Sequence, residues 1–529
     1  MKKKLFKTRL LSFAAFCGLT FAFVSCANED VAQNPNSTDN DKNLTTFSAG
    51  DPTTRTSMES NGKFFWEAGD KIWVKDDYGE WRQSSNAPTA KTASFKFKVP
   101  GKFTQSSTYK VYYPGKNGYQ DQVIIPATQR QSEPNTTAHF GVSGDCGMAD
   151  ASKQSNGSFA FTLDHKAAYL LLLPRTSNTI LRNCYLTKVE INSDNDITST
   201  SIYTLNPTTG ELTGTGTGTS KQIIVSTGGS GAYPNGFPLT NNATSATTNG
   251  SYVVIKPGTH TLKIRYWVKD IATNVEGTIT KTLASATYDQ NKYYNITANL
   301  NVRDYDGTKY YQWDAQQNYW AGHEWNSANP WQPTLISQPA NSNYADYHLS
   351  TDLRYHSQSY PGYGISNPAI HSCKDLPNAN ELSWYCMYGD PRWDADELWT
   401  TMGHLYKGGM WFKKKSVLIA EGHYDTEKSA DGTTDMRTTY KYYDNSSSIN
   451  YFAPSSGADA DNYFYLPALG YYGHGALEDT GINGIYWSSS AYPWGSGDAY
   501  NLCFGWGFVK VNYYGSNNRG FGYRVGGFE

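Results

Sequence analysis

Between about Thr46 and Arg303, apolar residues recur at every second position in short runs closed by Gly, Asn or Pro. The runs are FFWEAGDKIWVKDD, SFKFKV, STYKVYYP, FAFTLDHKAAYLLLLP, TKVEINS, SYVVIKPG and HTLKIRYWVKD. Period two sends alternate side chains to opposite faces of a strand, so this half predicts a β-sandwich or a pair of them. Helical periodicity is nearly absent here. The polar run ASKQSNGS reads as a soft boundary, which divides the half into β-domains at 46–150 and 151–303.

From 304 onward the pattern changes. Tryptophans cluster in DYDGTKYYQWDAQQNYWAGHEWNSANPWQP, and LPNANELSWYCMYGD places Leu382, Tyr385, Cys386 and Tyr388 at helical spacing behind Asn378 and Asn380 as candidate caps. A second helix is expected in DADELWTTMGHLYKG. Short strands and long polar loops such as YDNSSSINYFAPSSGADADN fill the rest, so 304–529 reads as a compact α+β unit with two helices and little regular sheet.

The last strands of this unit carry two patterns at once. Leu502, Phe504, Val509 and Val511 keep strict apolar alternation, while Asn501, Cys503, Gly505, Phe508, Lys510 and Asn512 in the gaps share no size, charge or polarity. The first set must meet a core; the second is expected to point to solvent. There Trp506, Phe508, Tyr513 and Tyr514 stand beside Lys510, Asn501 and Asn512, rigid rings next to amides that adapt their hydrogen bonds, as in a ligand-contacting surface. The candidate binding set is Gly497, Asp498, Asn501, Cys503, Gly505, Trp506, Phe508, Lys510, Asn512, Tyr513, Tyr514, Ser516, Asn517, Asn518 and Phe521. The other reading is that another part of the same domain covers this face; the exposure of Trp506, Phe508, Tyr513 and Tyr514 separates the two.

Composition narrows the class. Of the 529 residues, charged ones make up 17% with a net charge of -2, so there is no broad basic surface for phosphates and no nucleic-acid partner is expected. Aromatics at 15%, led by 41 Tyr, together with 48 Gly, favour turn-rich β-domains with amphipathic aromatic surface. The N-terminus, MKKKLFKTRLLSFAAFCGLTFAFVSC, is a basic segment and then an apolar run ending at Cys26, the form of a lipoprotein export signal over 1–25. Residues 26–45 are polar and read as a flexible tether, so lipid on Cys26 would anchor the protein to an outer membrane. Cys146, Cys184, Cys373, Cys386 and Cys503 remain; an odd number without a CxxC pair argues against a disulfide framework or a zinc site.

Two family resemblances add to this. TTRTSMESNGKFFWEAGDKIWV, FTLDHKAAYLLLL, YVVIKPGTHTLKIRYWV and KYYNITANL resemble the motifs of fimbrillin-type lipoprotein pilins over roughly Thr46 to Val302. That resemblance implies two transthyretin-like β-sandwich domains, cleavage after an Arg near the N-terminus, and replacement of the first strand by one from another pilin subunit. Arg55 is the nearest candidate for the cut; it reads equally as an exposed charge at a strand edge.

CKDLPNANELSWYCMYGDPRWD, GGMWFKKKS, YFYLPALGYYG, IYWSSSAYPW and GYRVGG resemble the C-type-lectin-like fold of bacterial major-paralogous and retroelement-diversified variable domains, over roughly Tyr310 to Glu529. Such proteins vary chosen codons near the gene's end, which matches the haphazard positions above. Within the motifs, Trp393, Trp399, Trp411, Tyr486 and Trp487 are expected in the core, and Arg524 to meet a buried carboxylate or loop carbonyls.

Chemistry beyond binding finds no motif. GHEWN lacks the second His of a zinc-protease helix, there is no G-x-S-x-G elbow, and an EPN at Glu133 lies in the pilin-like half without a matching WND. The acids Asp390, Asp394, Asp396 and Glu397 lack the spacing of a calcium loop. The expectation is therefore a mainly β protein without enzyme activity, cofactor or metal: a surface lipoprotein adhesin at a pilus tip, because the terminal residues are taken up in the lectin-like unit and leave no strand to donate. Its partners would be a pilin subunit and a host or bacterial surface protein or glycan. The alternative is a surface glycan-binding or glycan-degrading lipoprotein.

Overall fold

The computed structural model describes residues 43–50, 57–58, 64–199, 202–214, 219–345, 351–356, 361–455, 459–511 and 518–529. Cys26 and Arg55, the candidate lipidation and cleavage positions, lie outside them. The protein is mainly β, 40% strand and 7% helix. The compact unit Thr45–Glu529 holds the sheets described below. No helix among the described residues is long and apolar enough to cross a membrane.

The first sheet runs Trp81–Gln83, Trp73–Lys75, Thr108–Tyr113, Gly147–Lys153, Phe159–Phe161, Leu44–Ala49, Phe95–Pro100. Its inner face is aromatic: Phe47 stacks on Phe159 at 5.0 Å, and Trp66 meets Phe97 and Tyr113 edge-on. Such pairs add specific geometry to the area they bury. Leu44–Ala49 joins parallel to Phe159–Phe161, with Phe47 opposite Phe159 and Ala49 opposite Phe161. The run ASKQSNGS is not a boundary. It forms the end of one strand of this sheet and the turn into the next, with Ser152 paired to Ala160, and it is polar because a hairpin tip stands in water.

A second sheet runs Glu276–Thr282, Leu262–Lys269, Tyr185–Ser193, Gln222–Thr227, Thr128–Gln131, and a third Ser251–Ile255, Ala168–Arg175, Tyr293–Asn299. Ala168–Arg175 is apolar at consecutive positions because both its faces are covered. Leu170 and Leu172 enter a core with Val189, Ile191, Val225 and Ile264, while Tyr169, Leu171 and Leu173 enter another with Phe140, Tyr203 and Tyr252. A strand buried on both sides loses the alternation that one wet face imposes.

In the C-terminal part, helix Ala379–Tyr388 begins at a capping box: the Asn378 side chain accepts from Glu381 N, and the Glu381 carboxylate accepts from Asn378 N. The second expected helix is instead a hairpin, Arg392–Thr401 with His404–Lys413. Its turn residues Met402 and Gly403 both have positive φ, 47° and 83°, as a two-residue turn between right-twisted strands requires. A short helix, Lys415–Ala420, follows it.

This hairpin lies in a four-stranded sheet ordered Arg303–Tyr305, Arg392–Thr401, His404–Lys413, Tyr463–Pro467. A six-stranded sheet is ordered Tyr310–Tyr311, Tyr523–Arg524, Asn483–Ala491, Ala499–Gly505, Phe508–Val511, Tyr443–Asp444. Regular sheet thus makes up more of this part than its loops foretell.

The same hairpin reaches the preceding β-core. Leu398 and Leu405 belong to the cluster of Val268 and Ile279, and Thr273 Oγ1 donates to Leu405 O at 2.9 Å while Leu405 N donates to Asp270 Oδ2 at 3.0 Å.

Candidate ligand-binding face

Ala499–Gly505 and Phe508–Val511 form a hairpin closed by Trp506 and Gly507, with Leu502 opposite Val511 and Phe504 opposite Val509. All four of those apolar residues are fully buried in the main core of the C-terminal part, as their alternation predicts. Phe504 lies so close under the neighbouring strand that a Cβ on Gly484 would sit 2.2 Å from its ring. The floor is therefore rigid on both sides of the hairpin.

The opposite face departs from expectation. Asn501 is 0% and Cys503 2% exposed, so neither points to solvent. Cys503 packs with Trp313, Cys373, Trp487 and Tyr523 in a second core, and Asn501 faces Trp487 across the strand pair. Gly505 is buried as well. The physical reason is that this sheet is covered on both faces at its centre: residues from as far upstream as Trp313 close over it, and no local pattern encodes them.

Exposure returns toward the sheet edge. Phe508 is half-buried, and Lys510 forms an ion pair with Asp444 on the edge strand at 3.3 Å. Burial opposes ionisation of Asp444, yet the Ser446 hydroxyl and backbone N–H, the Tyr442 hydroxyl and Lys510 outweigh it and hold the carboxyl down to about 2.

At the turn, Trp506 is 68% exposed, its ring 5.7 Å from that of Tyr451, and Phe452 beside Tyr451 is 79% exposed. Neither Tyr451 nor Phe452 was singled out from the sequence. Their signal was an aromatic pair, NYF, inside an otherwise polar loop. A second exposed group was missed likewise: Trp494 lies 6.0 Å from Tyr440.

The remaining candidates divide. Gly497 and Asn518 are exposed, and Asp498 pairs with Asn518 as an isolated bridge. Burial raises the Asp498 carboxyl above its usual range. Phe521 is half-buried, its ring 5.8 Å from those of Tyr471 and His474. Asn512, Tyr513, Tyr514, Ser516 and Asn517 lie outside the described residues.

Trp393, Trp399, Tyr486 and Trp487 are core residues, whereas Trp411 is half-buried and donates through Nε1 to Asp394. Arg524 meets a loop carbonyl, that of Asp306, and lies over the Tyr310 ring.

The acids Asp390, Asp394, Asp396 and Glu397 do not converge. Asp390 binds Arg392, Asn450 and Tyr463, and Asp394 Oδ1 accepts from the backbone of Asp396 and Glu397. Among the described residues no group of three or more His, Cys, Asp or Glu could hold a metal ion. Cys373 and Cys386 are buried free thiols, not a disulfide. Burial pushes both thiols up, Cys373 to about 12, away from the thiolate that nucleophilic chemistry needs.

No family model matches the chain, and no curated protein matches it. Solved structures give distant likenesses. A protein from Bacteroides uniformis provisionally assigned to cell adhesion is 15% identical, with 48% of this chain and 92% of that one covered at a TM-score of 0.25. One from Bacteroides fragilis with the same provisional assignment is 10% identical, covering 48% and 86%, TM-score 0.26. A fimbrial protein from Bacteroides ovatus is 10% identical, covering 89% and 99%, TM-score 0.26. The chain is thus distantly similar in structure to Bacteroides proteins of these descriptions.

Proposed function

We propose that this protein is a surface adhesin that holds its ligand against the aromatic group at the tip of the C-terminal hairpin. The observation that carries the reading is the exposure of Trp506, Tyr451 and Phe452 together, above strands whose other side is locked in the core. Large rings left in water at a rigid turn are costly for solubility and well suited to anchoring a partner, because little conformational entropy remains to be lost on contact. Phe508 and Lys510, which follow Trp506 in the hairpin, would extend the face. Gly497, Asp498 and Asn518 lie at the other end of Ala499–Gly505 and, with Phe521 and the candidates Asn512, Tyr513, Tyr514, Ser516 and Asn517 outside the described residues, would form a second contact area. Asn501, Cys503 and Gly505 act beneath it as support.

Cys26 would carry the lipid that holds the protein at the outer membrane. The strand Leu44–Ala49 is an insertion next to Phe159–Phe161, upstream of Arg55, and is the segment that a partner's strand would replace after cleavage. Tyr523–Arg524 is engaged between Tyr310–Tyr311 and Asn483–Ala491; a place at the tip of a pilus is part of this proposal.

The test is adhesion of the full-length protein to mucin-coated surfaces and to intact bacterial cells, with Trp506→Ala combined with Phe452→Ala. Both residues are exposed, so the fold is retained, and adhesion to one of these surfaces should fall about tenfold or more. Unchanged adhesion overturns the reading; gold labelling along filament shafts instead of at their ends overturns the tip position alone.

A further inference from the structure

A cleft of about 570 Å³ opens in the long connection between Tyr310–Tyr311 and helix Ala379–Tyr388, and it shares no residue with the group around Trp506. Its walls are the rings of Trp325 and Trp331 with Pro330, Pro333 and Pro339, and among the described residues no Lys, Arg, Asp, Glu or His lines it. Connections of this length without regular structure are uncommon in compact domains, and where they are ordered they often serve a function.

The stretch that forms the cleft, residues 325–342, is held from within. Gln332 is buried, donates through Nε2 to Gly307 O at 2.8 Å and to the Tyr472 hydroxyl at 3.0 Å, and accepts from Trp325 N at 3.0 Å. That ties the cleft to the core. Trp331 is backed by the His323 ring, nearly parallel at 6°, and Asn341 Nδ2 donates to Trp331 O at 3.0 Å. Both aromatic walls are therefore in place before any ligand arrives, which removes much of the ordering cost of binding.

Polar groups at the rim remain unused. The Gln338 carbonyl accepts from Thr334 N and Leu335 N, while its amide nitrogen and the Ser342 hydroxyl, both on exposed residues, have no partner among the described residues.

We propose that this cleft binds a neutral oligosaccharide, at a site separate from the hairpin face. A pyranose ring presents an apolar C–H face that stacks on an indole and hydroxyls that both donate and accept; an amide and a hydroxyl at the rim answer both needs. The uncharged lining offers no counter-ion to sulfated or sialylated chains, whose charges would lose water without compensation. A proline-rich segment also stacks on indoles, but its carbonyls only accept, and it would leave the hydroxyl's lone pairs idle.

The experiment titrates the full-length protein with mannohexaose, xylohexaose and N-acetylchitohexaose, read by calorimetry and tryptophan fluorescence, with a proline decamer and a heparin hexasaccharide alongside. At least one neutral hexasaccharide is expected to bind and to perturb the fluorescence. Ala340→Arg, which fills the cleft from an exposed position, and Trp331→Ala should each weaken that binding by about tenfold or more, while Trp506→Ala leaves it unchanged. Circular dichroism checks that the variants fold. Binding by none of the three sugars, binding that survives both cleft variants, or preference for the proline decamer or heparin overturns the proposal. None of these outcomes bears on the hairpin face, which the adhesion assay with Trp506→Ala and Phe452→Ala combined tests separately.

Discussion

At the scale of single residues, packing sets what each position tolerates. Gly484 lies under the Phe504 ring, where even a methyl group would sit 2.2 Å away. Gly484→Ala should therefore cost about 1–3 kcal/mol by forcing ring and strand apart, measured by denaturant unfolding; a loss below a few tenths would mean the ring moves freely. Asp444 gives a pH prediction. Its carboxyl falls from 3.8 to about 2 on folding, so its stabilisation is complete above 3.8 and is lost as pH drops through about 2. In Asp444→Asn the acid-induced loss of stability between these values should shrink; an identical acid limb in both proteins would exclude the Lys510 and Ser446 contacts as its cause.

At the scale of elements, local signals succeed where the chain supplies both partners of an interaction. Helix Ala379–Tyr388 was legible in the spacing of Leu382, Tyr385 and Cys386 behind Asn378 and Asn380; the structure selects Asn378 as the cap and pairs it with Glu381, three residues on. Asn378→Ala should cost about 1 kcal/mol by freeing the first-turn N–H groups, checked by thermal unfolding. The hairpin Arg392–Thr401 with His404–Lys413 was misread as helical because acids and Leu in DADELW favour helices. The decision was made by two neighbours instead, Arg303–Tyr305 on one side and Tyr463–Pro467 on the other, which supply ladders that an isolated segment lacks.

At the scale of the whole molecule, the same hairpin couples the C-terminal part to the β-core before it. Leu398 packs against Gly277, and Leu405 is held by Asp270 and Thr273. Leu398→Asp places a charge in that apolar contact. It should make the C-terminal part unfold separately, seen in calorimetry as two transitions in place of one and in limited proteolysis as cutting between the two parts. A single transition in the variant would mean that the coupling runs elsewhere. A connection of this kind would let force on the β-core reach the proposed ligand-binding face without being absorbed by a hinge.

The sequence by itself determined the β character of the chain, the first helix, and the side of the terminal hairpin that enters the core. Each of these rests on residues near one another in the chain, where periodicity is the physical cause itself. Only the tertiary structure decided that Asn501 and Cys503 are covered, that Trp506 shares its surface with Tyr451 and Phe452, and that ASKQSNGS is a turn within a sheet. Alternation states which residues share a face, but whether that face meets water depends on what packs over it. Here that cover comes from Trp313 and Cys373, far upstream of Cys503 in sequence and brought to it only by folding.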